Sequence, residues 1–217
     1  MKVYVSRGPG ERDKFESVVR SFANAFAGTV LDVGSRTGNL QQAAARTVHR
    51  YVSLDISPPA NVVANLDGGL PFADRSFDAV VALDVLEHTD RIHVALGELL
   101  RVSSRHVIVA LPNAFELKGR LRVLRGRHVS GKYGLPLQPA RDRHRWFFGF
   151  IEARRFCEAA TRSSAWVVRE QGALIGPRRR RIAWLVRRMP NLLAPTYLVW
   201  LERTPPTAGH VSPPRRS

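Results

Sequence analysis

Apolar residues in this chain follow two rhythms that take turns. Short runs, Val30-Leu31 with Val33, Tyr51 to Ile56, Asn61 to Leu66, Phe77 to Leu83 and Val107 to Leu111, predict strands. The near-continuous runs mark strands covered on both faces, as in a parallel sheet. Between them the spacing turns helical. Phe15, Val18, Val19, Phe22 and Phe26 predict a helix over residues 11–26. Alanine-rich residues 39–47, then Ile92, Ala95, Leu96, Leu99 and Leu100, predict two more. Leu117, Leu121 and Leu124 mark a further helix, and residues 150–161 another. Too few residues separate Asp55 from the run at Asn61 for a helical crossover, so the third strand is expected to be a short edge piece. Trp166 to Gln171 and Tyr197 to Glu202 predict strands six and seven, with a basic helix, Arg178 to Met189, between them. This alternation predicts an α/β fold with a doubly wound, mostly parallel sheet of seven strands.

The first strand runs through Gly34-Ser-Arg-Thr-Gly38 into a helix. Backbone N–H groups left unpaired at such a turn can hold a negative or polar ligand, though the same turn serves equally as a tight connection. The spacing is not G-x-G-x-x-G, so it is not a dinucleotide fingerprint. Asp32 stands two residues before the first glycine, and Asp55 closes the next strand, about 20 residues on, where a ribose-binding carboxylate belongs. Four further motifs follow in order: Val63-Ala-Asn-Leu-Asp67, Leu70-Pro-Phe-Ala-Asp-Arg-Ser-Phe-Asp78, Ala82-Leu-Asp-Val-Leu-Glu-His88 and Val107-Ile-Val-Ala-Leu-Pro-Asn113. With these, residues 28–115 resemble the class I S-adenosylmethionine-dependent methyltransferases. They look most like the bacterial small-molecule branch with quinone- and methionine-biosynthesis-type relatives.

The resemblance implies a Rossmann-like methyltransferase fold whose last strand is antiparallel and inserted beside the sixth. It also implies S-adenosyl-L-methionine as cofactor. Asp55 would accept both ribose hydroxyls, and Gly34 and Gly38 would let the backbone approach the ligand. Asp32 would orient either the methionine ammonium or the turn itself. Asn65 and Asp67 both align with the acid that reads the adenine amine, with Asp67 preferred; Ile56 and Leu83 complete the cofactor set. Arg36 departs from the family, which usually has glycine there, and this leaves open a non-catalytic binding scaffold.

Methyl transfer from a sulfonium needs chiefly alignment, with a base where the acceptor loses a proton. Glu87, His88, Asp84 and His144 are the candidate bases, although in many relatives the Glu-His pair serves structure. Segment Asp142-Arg-His-Arg-Trp-Phe-Phe148 lies where the family commonly builds its acceptor pocket. It joins aromatic faces to Arg143 and Arg145 and to His144, whose ring Asp142 is placed to hold. The alternative is that the aromatics seal the core and His144 faces water. No metal-ligand set is expected.

Residues 1–203 read as one domain with a lid loop over about 126–148, and residues 204–217 as a disordered tail. A single cysteine, Cys157, fits a reducing compartment. With no signal peptide and no apolar run of ~20 residues, the expectation is a cytoplasmic protein, at most attached to a membrane from one side. The net charge is +16, with thirty arginines to four lysines. Residues 101–188 hold 21 basic and 5 acidic side chains, so the excess lies beyond the cofactor half. Ile182, Leu185, Val186 and Met189 share a stripe among arginines, fit either to lie on an anionic membrane or to pack on the sheet. The expected acceptor is a small molecule, a sugar or a lipid-linked glycan, methylated on oxygen. The alternative of RNA methylation lacks both the Asn-Pro-Pro-aromatic and the Pro-Cys motifs, and a nucleic-acid partner is not expected.

Overall fold

The structure is a computed structural model and describes residues 1–133, 135, 138, 143–162 and 164–205. Its centre is one eight-stranded sheet. The strands are β1 (Lys2–Val5), β2 (Thr29–Val33), β3 (Arg50–Asp55), β4 (Val62–Val63), β5 (Phe77–Leu83), β6 (Ser103–Pro112), β7 (Trp166–Ile175) and β8 (Thr196–Arg203). Their order across the sheet is β1-β7-β8-β6-β5-β2-β3-β4. β8 is antiparallel to both β6 and β7, while every other pair is parallel. The helices are α1 (Glu11–Ser21), α2 (Asn39–Ala44), α3 (Ile92–Val102), α4 (Leu117–Leu124), α5 (Phe150–Thr161), α6 (Ala183–Arg188) and α7 (Pro190–Leu193).

Strict alternation along the strands builds two cores. Leu31, Val33, Val80, Ala82, Val107 and Val109 join α3 and α5 on one face. Val30, Ala79, Val81, Ile108 and Ala110 join α1 and α2 on the other. Because side chains alternate across a strand, a sheet packed on both sides needs apolar residues at consecutive positions. The third strand in parallel sequence, β4, is a two-residue edge piece, as the short connection requires.

Two expectations are corrected. The sheet has eight strands, because Lys2–Val5 pairs in parallel with residues 172–175 of β7. Gly172 makes this pairing possible: a Cβ there would come within 2.2 Å of the Lys2 carbonyl oxygen. The basic helix expected over 178–189 is broken into a 3-10 turn, Pro177–Ile182, followed by α6. Ile182 leaves helical geometry (φ −109°, ψ 18°) at the joint, so the stripe divides. Val186 is buried and Ile182 packs on the core, while Trp184 and Met189 are 62% and 47% exposed. No helix among the described residues is long and apolar enough to cross a membrane. The tail from residue 206 and Asp142 lie outside the described residues.

Candidate functional site

The C-terminal ends of β2, β3 and β5 sit side by side, and the site is built on them. At the end of β2, Gly34 takes φ +80°, and its N–H donates to the Leu54 carbonyl at 2.8 Å. The Ser35 N–H reaches the same carbonyl at 3.2 Å. A Cβ at position 34 would meet Val85 Cγ2 at 2.3 Å, so glycine is required by both conformation and space. Gly38, at φ +63°, caps α2; nothing lies within 4 Å of a Cβ there, so only conformation demands glycine. Arg36 is exposed on the turn.

Asp32 is buried one residue short of the strand end and accepts a hydrogen bond from the Tyr51 hydroxyl. Burial pushes its carboxyl up to about 7; Tyr51 pulls the other way, and the charge of Asp55 adds to the rise. Asp55, 8% exposed at the tip of β3, accepts long bonds from the Ser57 N–H and hydroxyl, at 3.3 and 3.4 Å. Ile56 beside it is 66% exposed, and Leu83 is buried at the end of β5. Asn65 and Asp67 are both held by neighbours. Asn65 caps a 3-10 turn by accepting from the Asp67 N–H at 3.0 Å. The Asp67 carboxylate accepts from the N–H groups of Asp90 (2.9 Å) and Arg91 (3.1 Å), pinning the entry to α3.

The pH dependence of Asp32 gives a direct check. Its folded pKa lies above that of a free aspartate, so the stability it contributes is present below about pH 4 and lost as pH rises through 7. Asp32→Asn keeps an acceptor for Tyr51 and removes the buried charge. The variant should gain on wild type steadily between pH 4 and 7, reaching about 2–4 kcal/mol at pH 8, in urea unfolding. A gap that stays flat with pH would contradict this.

After β5 the chain makes a sharp turn. Asp84 takes φ +57°, a region a non-glycine residue enters at some cost, and its carboxylate is ion-paired to Lys14 of α1. The 3-10 turn Leu86–His88 follows and buries Glu87 completely. Among the described residues, no donor meets either Glu87 oxygen with full hydrogen-bond geometry. Oε1 lies 3.7 Å from His144 Nε2 and 4.0 Å from His88 Nε2. Burial, then the charge of Asp84, push the Glu87 carboxyl up to about 8; its own amide, Lys14 and Lys132 pull back. His88 Nδ1 is 2.8 Å from the Arg143 carbonyl, and His144 Nδ1 is 3.0 Å from the Tyr133 hydroxyl. The two imidazoles meet edge to face.

Residues 143–148 form a cap over this turn. The Arg145 N–H donates to the Glu87 carbonyl at 2.8 Å, the Trp146 indole N–H to the Thr89 carbonyl at 2.8 Å, and Arg145 pairs with Asp90. Phe147 packs against Phe115 and Tyr133. Of the expected alternative, aromatics sealed in and His144 facing water, only the packing of Phe148 on the core is seen. The His144 side chain is 8% exposed, whereas Trp146 and Phe147 are 37% and 49% exposed. Asp142, expected to hold the His144 ring, falls outside the described residues.

Thus Asp32, Gly34, Gly38 and Asp55 are brought to one edge, and Glu87, His88 and His144 to the adjoining turn, with Val85 packed between the two groups on Gly34. Glu87, His88 and His144 also form a metal-capable group, their ligand atoms within 4.8 Å of one another. Tyr51, Lys14 and Tyr133 are partners the sequence did not point to. Tyr51 alone left a trace, lying four residues before Asp55 on the same strand. A surface cavity of about 420 Å³ lined by Met1, Lys2, Arg154 and Arg169 opens at the opposite edge of the sheet and plays no part here.

A family model described as "Methyltransferase domain" matches residues 31–111, the stretch from β2 to the end of β6 that carries this edge. No curated protein matches the sequence. Among solved structures, the fold is similar to that of a SAM-dependent methyltransferase from Archaeoglobus fulgidus (15% identity, TM-score 0.52, covering 89% of this chain and 95% of that one). It is similar also to magnesium protoporphyrin IX methyltransferase from Synechocystis PCC 6803 with bound SAH (15%, 0.54, 89% and 82%). A third is the 1,6-didemethyltoxoflavin-N1-methyltransferase of Burkholderia thailandensis (13%, 0.56, 89% and 78%). Residues 31–111 thus match a methyltransferase-domain model, and the sheet order with the glycine turn after β2 gives the chain the fold of the S-adenosylmethionine-dependent methyltransferases it is similar to.

Proposed function

We propose that this domain transfers a methyl group from S-adenosylmethionine to an oxygen of a small-molecule, sugar or lipid-linked glycan acceptor. One juxtaposition supports this above all: the glycine turn adjoins a buried Glu-His-His group beneath a basic and aromatic cap. In this reading Asp55 holds the ribose, and Asp32 faces the methionine ammonium. The open backbone of Gly34 and Gly38 admits the ligand, with Ile56 and Leu83 as apolar walls. Asn65 and Asp67 shape the adenine side through the turn they brace. His144, with Glu87 and His88, takes the acceptor's proton. Arg36 is exposed on the turn.

Several features support an anionic or surface-bound acceptor. Arg143 and Arg145 lie in the cap, and Trp184 and Met189 are exposed beside Arg187 and Arg188. The neighbours that act on a protoporphyrin and on a toxoflavin precursor are small-molecule enzymes, which fits the same class. The working location is the cytoplasmic side, with peripheral membrane contact when the acceptor is lipid-linked. Vesicles rich in anionic lipid should then sediment more protein than neutral vesicles at moderate salt; equal amounts would remove the membrane part of the proposal.

The test of the main reading is incubation with methyl-labelled S-adenosylmethionine and fractionated small-molecule and lipid extracts, followed by mass spectrometry. A labelled product of one methyl mass is expected. A wild-type protein that binds neither the cofactor nor its demethylated product by calorimetry would overturn it.

A further inference from the structure

We infer that α4, with the aromatic cap beside it, is a docking surface for the face of an anionic phospholipid bilayer. The inference deepens the lipid-linked arm of the function proposed above and rests on it.

Helix α4 presents its apolar stripe to water. An amphipathic helix of a folded domain ordinarily lays that stripe on the core and turns its charges outward. At about 100° per residue, Leu117, Leu121 and Leu124 fall on one stripe, and Gly119 falls roughly opposite. Gly119 is the buried residue of the helix. A Cβ there would meet the Ala114 carbonyl oxygen at 2.6 Å and Val129 Cγ1 at 3.0 Å, so the helix leans on the protein by its glycine side. The leucines are left in solvent: Leu124 is 81% exposed, and Leu117 and Leu121 are exposed as well. A single exposed leucine is ordinary, whereas a stripe of them along one helix marks an interaction surface.

Charge selects the occupant. Residues 117–127 carry Lys118, Arg120, Arg122, Arg125 and Arg127 and no acid. Lys118 and Arg125 flank the stripe on one side, and Arg120 flanks it on the other. Glu116, just before the helix, is paired with Arg179 at 2.7 Å, which fastens the start of α4 to the 3-10 turn Pro177–Ile182. Leucines set between cations are the make-up of a helix that lies in the headgroup layer. The leucines enter the acyl boundary, and the cations meet lipid phosphates. A second copy of the chain would bring cations against cations. A nucleic acid would use the cations and leave the leucines in water.

The cap extends this surface. Phe115, at the entry to α4, packs edge to face on Phe147 with ring centroids 4.8 Å apart, and Arg120 lies 5.9 Å over the Phe115 ring. Trp146 and Phe147 are themselves exposed, and tryptophan favours the boundary between membrane and water. A bilayer docked on α4 would therefore lie against the cap over the turn after β5. A lipid-linked acceptor could reach the site without leaving the membrane.

The test sediments the full chain with vesicles of phosphatidylcholine alone, and of phosphatidylcholine and phosphatidylglycerol in equal parts. The anionic vesicles should bind about tenfold or more tightly. Leu121→Ser with Leu124→Ser, and separately Lys118→Gln with Arg125→Gln, should each weaken that binding about tenfold or more. All four side chains are exposed, so thermal unfolding and affinity for S-adenosylmethionine should stay at wild-type values. Anionic-vesicle binding unchanged in both α4 pairs overturns the inference; if Trp184→Ser abolishes it instead, the contact belongs to α6 and the lipid-linked reading stands. No preference of wild type for anionic vesicles overturns both. Binding of single-stranded RNA that anionic vesicles do not compete away overturns the inference in favour of nucleic acid. Docking through α4 by a protein that methylates nothing in a lipid extract would uphold the surface and remove the lipid-linked acceptor.

Discussion

Replacing His144 with alanine is expected to lower the turnover rate about 10²-fold or more while leaving cofactor affinity unchanged. The expectation rests on where the side chain is. His144 is 8% exposed and turned to the Glu87 carboxylate, beneath a cap anchored by Arg145 and Trp146. Deprotonating a hydroxyl as it attacks the sulfonium carbon typically contributes about 10²–10⁴-fold. Alignment of the two substrates, which can supply roughly 7–11 kcal/mol, survives in the variant because the glycine turn and Asp55 are untouched. The effect should therefore fall on kcat and not on cofactor binding. Steady-state kinetics with the identified acceptor, beside calorimetry with S-adenosylmethionine, separates the two. Near-normal turnover would take His144 out of the mechanism and leave alignment as the main source of rate.

Asp55→Ala should weaken binding of S-adenosylmethionine and of its demethylated product at least tenfold. Among the described residues the carboxylate accepts two long bonds, both from Ser57, so its capacity to accept from two ribose hydroxyls is largely unspent. Hydrogen bonds to a charged group are worth about 1.5–3 kcal/mol each, and losing even one crosses the tenfold mark. The side chain is buried at the strand tip, so Asp55→Asn, which keeps its volume, serves as the second variant and should weaken binding in the same direction. With Asp55→Asn the Kd should rise while thermal unfolding moves little. Equal affinity in variant and wild type would show that the ribose is held elsewhere along this edge.

Much of this was legible in the residues. Val30 to Gly38 predicts strand, turn and helix because each signal is local: apolar alternation, a glycine at positive φ, then an alanine-rich helix. The short link between Asp55 and Asn61 predicts an edge strand for the same reason, since it depends only on chain length. Asp55 and the two glycines were placed at the edge by their distance along the chain from β2, and the fold puts them there.

Other features have no local signal. Lys2–Val5 is too short to read as a strand; what makes it one is Gly172, far along the chain, which leaves room for its backbone. The helix expected over 178–189 breaks at Ile182, where packing of Ile182 and Val186 on the core outweighs a continuous helical stripe. Asp67 looks free in the sequence, yet its carboxylate is taken by two backbone N–H groups before α3.

The sequence by itself determined the order of the strands from β2 onward, the glycine turn after β2 and the acids beside it, because periodicity, glycine conformation and connection length act over a few residues. Only the tertiary structure decided that Glu87 would be sealed from water, that His88 and His144 would both turn Nε2 toward it, and that Asp32 would meet Tyr51. The physical reason is that a side chain's dielectric surroundings and its partners across the sheet belong to the packed molecule, and a residue's type does not carry them.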